Sequence, residues 1–307
     1  MSAARPPEGA CTAGRQAEGT PRTGRLLRGL HGAGRNFVRN PILMLALTLV
    51  VLQLLLSLFA DVLAPYDPVA QAVEARMAPP DAQYLLGTDK LGRDVLSRII
   101  FGYRASLGIA FSAVFMALLV GGSMGIWAGY KGGWIDRVVM RLADVLFAFP
   151  IILLAIGVIA ILGTNTASTV VAIAVVYAPI FARLMRAPTL VLRSTDYVHA
   201  ARSFGAGDLR IIVRHIMPNL MSVILVQASL SLSTAILLEA SLSFLGIGAQ
   251  PPAPSLGRML SEGREYMFMA PWASLFSGLA ILLASLGFNL LGDGLRDRLD
   301  PRLRGID

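Results

Sequence analysis

One short pattern in this sequence matches the nucleophile motif of serine hydrolases. The stretch Gly121-Gly-Ser-Met-Gly125 fits G-x-S-x-G, which belongs on a strand-to-helix turn. Its serine needs a base within hydrogen-bond reach, but Ser123 falls inside a predicted membrane helix. The chain's histidines are all expected outside the helix bundle, at His31, His199 and His215. We therefore reject an intramembrane serine protease.

Two further chemistries lack the residues that they require. The stretch Gly205-Ala-Gly-Asp208 resembles an element of membrane aspartyl proteases, but Asp208 lies in an arginine-flanked loop with no second carboxylate opposite it. A phosphate-binding loop needs Gly-Lys-Ser/Thr, whereas Lys90 follows an aspartate and Lys131 a tyrosine. We expect neither enzyme activity nor a catalytic residue in this chain.

The composition is that of a membrane protein. Of 307 residues, 55% are hydrophobic and 15% are charged, whereas soluble proteins carry about 25% charged residues. The net charge of +8 does not indicate nucleic-acid binding, because the basic residues lie between apolar runs without interleaved aromatic residues. Cys11 is the single cysteine, so we expect no internal disulfide and no thiolate metal cluster. We also expect that this chain itself binds no cofactor.

Six apolar segments can cross a membrane, since a bilayer core of ~30 Å requires about 20 helical residues. The charge-free run 145–182 is too long for one crossing and is divided by Gly163-Thr-Asn-Thr166 into a helical hairpin. We therefore predict an all-α membrane protein with six transmembrane helices. Their ranges are 42–60, 105–130, the two halves of 145–182, 216–238 and 266–292.

The positions of the basic residues predict the orientation of these helices. The segments 1–41, 131–141, 183–215 and 293–307 hold 20 of the 27 Lys and Arg residues. Because basic residues accumulate in cytoplasmic loops, we expect both termini in the cytoplasm, together with the loop between spans four and five.

That loop, at 194–218, has the pattern of two short amphipathic helices. In the first, Ser194 or Thr195 can act as the cap and Gly205 supplies a left-handed stop. The apolar stripe predicted for this helix consists of Tyr197, Ala200, Ala201 and Phe204. Periodicity alone leaves two interpretations open, a finger docked in a partner's cleft and a helix lying on lipid headgroups.

The second predicted helix of the loop is capped by Asp208 and ends at Pro218. Its predicted inward residues are Leu209, Ile212 and Ile216, and its outward residues are Arg210 and Arg214.

The loop resembles the coupling motif of bacterial ABC importer permeases, which reads Glu-Ala-Ala, three residues, Gly and a later Pro. In this chain His199 stands where the motif has Glu, which affects one polar contact. In that family the loop seats in a groove of the cytoplasmic ATPase, so the resemblance favours docking over headgroup binding. The candidate ATPase-coupling residues are His199, Ala200, Ala201, Gly205, Asp208, Arg210, Pro218 and Asn219.

Three other stretches resemble dipeptide, oligopeptide and nickel permeases, and two of them suggest the C-type permease of such systems. They are Leu86-Gly-Thr-Asp-Lys-Leu-Gly-Arg-Asp-Val-Leu-Ser-Arg98 followed by Gly102-Tyr-Arg-Ala-Ser106, Glu239-Ala-Ser-Leu-Ser-Phe-Leu-Gly-Ile-Gly-Ala-Gln-Pro-Pro252, and Asn289-Leu-Leu-Gly-Asp-Gly-Leu-Arg-Asp-Arg-Leu-Asp-Pro301.

The resemblance implies an ABC type I importer permease fold in the bacterial inner membrane. It implies as partners a second homologous permease in a heterodimer, two cytoplasmic subunits that use ATP, and an extracytoplasmic solute-binding protein. The expected divisions are a disordered basic cytoplasmic tail at 1–36, an N-terminal permease segment with the first span and outer loop at 37–100, the transmembrane domain at 101–293 and a cytoplasmic C-terminal tail at 294–307.

Four residues are candidates for the transport pathway or its gate. Glu239 lies late in span five, where an ionisable group is either functional or a helix-packing carboxylate. Pro150 is expected to kink span three. Gln227 and Asn289 either line a path or bond between helices. Small residues spaced by four, at 121, 125 and 129, predict close helix packing in span two.

The sequence determines the transported cargo less well than it determines the class of transporter. No His or Cys cluster in the spans would bind a bare metal, so we favour di- or oligopeptides, with nickel and glutathione import as alternatives. A channel or secondary transporter is the alternative of a different class. It would work without ATPases and usually shows internal repeats or broken helices.

Overall fold

The computed structural model describes residues 41–299, which are helical and contain no β-strand. The predicted tail 1–36 and the last part of the segment 294–307 lie outside the described residues. The described residues form twelve α-helices: α1 (Pro41–Leu58), α2 (Ala60–Leu63), α3 (Val95–Ala117), α4 (Ser123–Lys131), α5 (Gly133–Phe147), α6 (Ile151–Leu162), α7 (Thr166–Leu192), α8 (Asp196–Ser203), α9 (Asp208–Ile211), α10 (Met217–Phe244), α11 (Leu256–Arg264) and α12 (Pro271–Leu299).

Five helical stretches are each long and apolar enough to cross a membrane. The helices α5 and α6 pass the same test together, but they are bent by 98° at the break between them. Counting this bent pair as one crossing gives six, as predicted. The five straight crossings are Pro41–Leu58, Val95–Lys131, Thr166–Leu192, Asp208–Phe244 and Pro271–Leu299.

The sequence predicts only a kink in span three at Pro150. The span is instead broken there, so the predicted bend is too small. Pro150 has an extended backbone (φ −57°, ψ 133°) directly before α6, because a proline cannot continue the preceding helix. The helix α5 then lies along α7, where the carboxylate of Asp144 pairs with Arg183 at 2.7 Å.

The hairpin between α6 and α7 forms where the sequence predicts it. Gly163 has a φ of +89°, a left-handed conformation that favours glycine. The side chain of Asn165 then caps α7 by accepting a hydrogen bond of 2.8 Å from the Ser168 N–H.

Two crossings extend well beyond their predicted ranges, and each contains a π-helical turn. Val95–Lys131 contains such a turn at Leu118–Gly122, and Asp208–Phe244 contains one at Ile212–Ile216. Pro218 therefore does not end a separate loop helix. It lies in the first turn of α10, where proline is tolerated.

The main core is built by α3, α7, α10 and α12. Their contacts include polar ones, such as the hydrogen bond of 3.0 Å from the Tyr103 hydroxyl to the Ala280 carbonyl. The helix α1 lies at the side of this core and is attached by the Gln53 amide, which donates to the Leu283 carbonyl at 2.8 Å. A second, smaller core lies at the end of the bundle that carries the loop.

Candidate functional site

The first loop helix, α8, ends in a Schellman motif at the predicted glycine. Gly205 has a φ of +78°. Its N–H donates to the Arg202 carbonyl at 3.0 Å, and the Ala206 N–H donates to the Ala201 carbonyl at 3.1 Å. The helix start differs from prediction, since the Thr195 hydroxyl donates back to Leu192 and does not cap α8.

The face of α8 that packs against the bundle lies beside the predicted apolar stripe. Val198 is fully buried and Ala201 packs beside it, whereas Tyr197, Ala200 and Phe204 are exposed. Phe204 is 91% exposed. The predicted apolar stripe is therefore a free surface, because the short helix rests on the bundle through the neighbouring face.

The second loop helix is only partly oriented as predicted. Ile212 and Ile216 are buried, as expected, and Ile211 is buried beside them. Leu209, predicted to face inward, is 65% exposed. Arg210 and Arg214 are exposed, as the periodicity predicts.

The loop rests on a hydrophobic core that is separate from the main one. This second core joins the loop to α4, to the end of α7 and to the start of α10. The loop is therefore held by side chains on every element around it, and its position is tied to span two as well as to its own flanking helices. The buried members are Ile126, Tyr130, Met185, Val198, Ile211, Ile212, Ile216, Leu220 and Ile224.

A polar network reinforces this contact between the loop and α4. Asp208, predicted as a helix cap, instead accepts a hydrogen bond of 2.8 Å from the Tyr130 hydroxyl and pairs with Lys131. Arg202 donates to the same hydroxyl at 3.1 Å, and Arg193 donates to the Gly129 carbonyl at 3.1 Å. Sequence reasoning missed this network, because its members are 60 to 80 residues apart and no local pattern joins them.

The helix α4 is in turn packed backbone to backbone against α7, as the spaced small residues predict. A Cβ atom at Gly121 or Gly125 would lie under 3.0 Å from the carbonyl oxygen of Ala178 or Ala182, respectively. Gly129 meets the α7 backbone in the same way one turn further along. The loop, α4 and the end of α7 therefore form one closely packed unit.

The remaining candidate coupling residues lie around this unit. His199 and Ala200 are exposed on α8. Asn219 donates from its side-chain amide to the His215 carbonyl at 2.6 Å, which joins the first turn of α10 to the π-helical turn before it. Arg210 lies beside a surface groove of about 550 Å³, whose other lining residues are Gly205, Gly207, Leu209 and Val213.

Together the exposed side chains of the loop form an apolar surface, which we call the docking face. It consists of Tyr197 on α8, of Phe204 directly after this helix, and of Leu209 and Val213 further along, and each of these residues is at least 43% exposed. Aromatic and aliphatic side chains displayed on a rigid base are typical of a surface that a protein partner covers.

The four candidate pathway residues do not lie together. Gln227 lines a cavity of about 450 Å³ with Ser222 and Arg296, between α7, α10 and α12. Asn289 is exposed and does not line that cavity, and Pro150 is exposed at the break in span three. Among the described residues there is no group of three or more His, Cys, Asp or Glu residues that could hold a metal ion.

Glu239 is buried in a cluster of serine side chains. Its Oε1 accepts a hydrogen bond of 2.7 Å from the Ser243 hydroxyl and one of 3.4 Å from the Ser255 hydroxyl. Ser106, on α3, faces the same carboxylate. The carboxylate thus joins α10 to the segment before α11, while its second oxygen and the Ser106 hydroxyl have no hydrogen-bond partner among the described residues.

A charged network lies at the opposite end of the bundle from the loop. The buried guanidinium of Arg98 pairs with Asp89, and Arg93 bridges Asp89 at 2.6 Å to Glu262 on α11 at 3.0 Å. Burial raises the pKa of Glu262, but Arg98, Arg258 and Arg93 outweigh burial and hold it below its ordinary value. This network attaches the segment before α3 to α11, and spacing alone did not reveal it.

The comparisons with known proteins agree with this architecture. Residues 121–305 match the family described as binding-protein-dependent transport system inner membrane component, and residues 30–80 match the N-terminal TM domain of oligopeptide transport permease C. A glutathione transport system permease protein, GsiD of Pectobacterium atrosepticum, is 47% identical over 88% of this chain and 90% of its own length.

A second relative has a different named cargo. The dipeptide transport system permease protein DppC of Alkalihalophilus pseudofirmus is 43% identical over 89% of this chain and 90% of its own length. Among solved structures, an inward-facing MetNI methionine ABC transporter aligns with 65% of this chain and 97% of its own, at 18% identity and a TM-score of 0.49.

Proposed function

Since this chain belongs to the binding-protein-dependent transport system inner membrane component family, as a multi-pass subunit of an ABC importer, we propose that it forms half of a pathway for short peptides. The other half would come from a second, homologous permease. We further propose that the loop 194–218 docks on cytoplasmic ATPases that use ATP, and that a solute-binding protein delivers the cargo outside.

The observation that carries the coupling proposal is the docking face on its rigid base. A loop that transmits motion must present a surface to its partner and be firmly attached to the spans. The exposed Phe204 and Leu209 meet the first requirement. The second core and the bonds of Asp208 to Tyr130 and Lys131 meet the second.

The distribution of charge supports an orientation with this loop and both termini in the cytoplasm, since 20 of the 27 basic residues lie in segments on that side. The serine-lined Glu239 and the network around Arg98 then lie toward the outside, where the binding protein would approach. The cavity beside Gln227 lies toward the inside, on a surface that a second permease would help to close.

The names of the relatives support a peptide as cargo. One relative is a glutathione permease and the other a dipeptide permease, and both cargoes are short peptides with a free carboxylate and an amino group. Within this class we propose di- or oligopeptides, and we keep glutathione and nickel as the alternatives. The test is an uptake assay with the complete system in proteoliposomes that contain ATP. Labelled dipeptide, glutathione and nickel are offered in turn, and the one that accumulates identifies the cargo.

Replacing Phe204 with serine is expected to weaken ATPase binding about tenfold, because exposed aromatic side chains act as anchors when a partner covers them. The stability of the chain itself should not change, since this side chain is 91% exposed. The measurement is a titration of ATPase onto the permease pair in lipid nanodiscs, together with thermal unfolding of the pair alone.

Phe268 provides a matched control, because it is 99% exposed and precedes α12 at the opposite end of the bundle. Its change to serine should leave ATPase binding unaltered. Equal ATPase affinities for the two variants would contradict the docking role of the loop.

A further inference from the structure

A polar pocket of about 390 Å³ lies beside α8, on the flank away from the docking face. At 100° per residue, Tyr197 and Phe204 lie on one flank of the helix, whereas His199 and Arg202 lie on the other. The pocket's lining residues are Tyr130, Lys131, Arg193, Ser194, His199, Arg202 and Asp208. We call it the basic pocket.

The basic pocket has an excess of positive charge. Its one carboxylate, Asp208, is already paired with Lys131. Arg193 and Arg202 donate to neutral oxygens, namely the Gly129 carbonyl and the Tyr130 hydroxyl. Within residues 41–299, neither guanidinium has a carboxylate within the 4.0 Å of an ion pair. Asp208 and Asp136 act on Arg202 and Arg193 from a longer distance, but each of these carboxylates already has its own ion pair, with Lys131 and Arg186 respectively. The pocket therefore keeps a net positive charge.

The pocket is open to a partner that covers α8. Ser194, His199 and Arg202 are exposed at its mouth, while Arg193 is half-buried behind them. A guanidinium that makes one or two hydrogen bonds keeps further N–H groups free, in a planar arrangement that matches a carboxylate. His199 adds another ring nitrogen at the same mouth.

We propose that the basic pocket receives a carboxylate side chain of the ATPase subunit, which then contacts both flanks of α8. This inference rests on the proposed docking of the loop. The partner's cleft would have an apolar wall against Tyr197 and Phe204 and an acidic wall against His199, Arg193 and Arg202. An aspartate or glutamate there compensates charge that this chain leaves unpaired, and it fixes the orientation in which the helix enters the cleft.

Two variants of one residue test this inference. Ser194→Asp places a carboxylate in the mouth of the pocket, whereas Ser194→Asn has nearly the same shape and no charge. Purified ATPase is titrated onto the permease pair in phosphatidylcholine nanodiscs. We expect Ser194→Asp to weaken binding about fivefold and to reduce its dependence on salt, while Ser194→Asn binds like the wild type. Equal binding by the two variants overturns the inference.

A second pair of variants tests the same inference in case the Ser194 variants fold poorly. Arg202→Gln should weaken binding, and Arg76→Gln, an equal loss of charge at an exposed residue before α3 and away from the loop, should not. If the Ser194 variants differ only in phosphatidylglycerol nanodiscs, the pocket binds a lipid phosphate, which also overturns the inference. Wild-type chain that binds no ATPase at all would overturn the proposed function as well.

Discussion

Replacing Gly125 with valine is expected to prevent stable assembly of the bundle. A Cβ at this position would lie under 3.0 Å from the Ala182 carbonyl oxygen, which is backbone and cannot move aside like a side chain. The valine would separate α4 from α7 and open the second core. We expect a loss of about 3 kcal/mol or more, measured by unfolding in detergent, and little protein in the membrane fraction.

The control for this prediction is Gly108→Ala, in the same span. Gly108 is helical, is exposed, and would have nothing within 4 Å of an added Cβ. Alanine should leave stability unchanged or raise it by up to about 1 kcal/mol, because glycine is a poor helix former. If the Gly125→Val variant were as stable as the Gly108→Ala variant, α4 and α7 would not be in backbone contact.

Replacing Gly205 with proline is expected to abolish transport while ATP hydrolysis continues. Proline is fixed near a φ of −65°, whereas Gly205 has +78° and donates its N–H to Arg202. The Schellman turn that fixes α8 relative to α9 would be lost. Gly205→Ala keeps the N–H and costs about 1–2 kcal/mol for its left-handed conformation, so it should lower transport less. Uptake and ATPase rate in proteoliposomes are the two measurements.

Gly207 is the matched position for this test, two residues further along the loop. Its φ of −68° is one that proline adopts, and an added Cβ there would have nothing within 4 Å. Gly207→Pro should therefore transport at close to the wild-type rate. Normal transport by Gly205→Pro would remove the loop from the coupling mechanism.

Local signals predicted the turns of the loop but not its orientation. Gly205 ends α8 because a left-handed residue there satisfies the last carbonyls, which is a property of the local chain. Which face of α8 is buried depends on Val198 meeting the second core, whose other members are distant in sequence. Apolar periodicity identified Tyr197 and Phe204 correctly as a stripe, but a stripe is equally apolar whether it faces the bundle or a partner.

The crossings show the same division between local and tertiary causes. Charge-free runs in the sequence predicted all six crossings, and Gly163 predicted the position of the hairpin. The break at Pro150 was expected only as a kink, because a proline's local effect does not determine how far α5 turns away. That angle depends on the packing of α5 against α7, where Asp144 pairs with Arg183, 39 residues further along the chain.

The most direct test of the central claim is the composition of the complex purified in mild detergent, with this chain expressed from its native gene neighbourhood. We expect one different permease and two ATPase subunits to elute with it in fixed proportion. If the chain eluted alone or as a homo-oligomer, with no ATPase bound, it would not be a coupled importer half, and a channel or secondary transporter would be the better account.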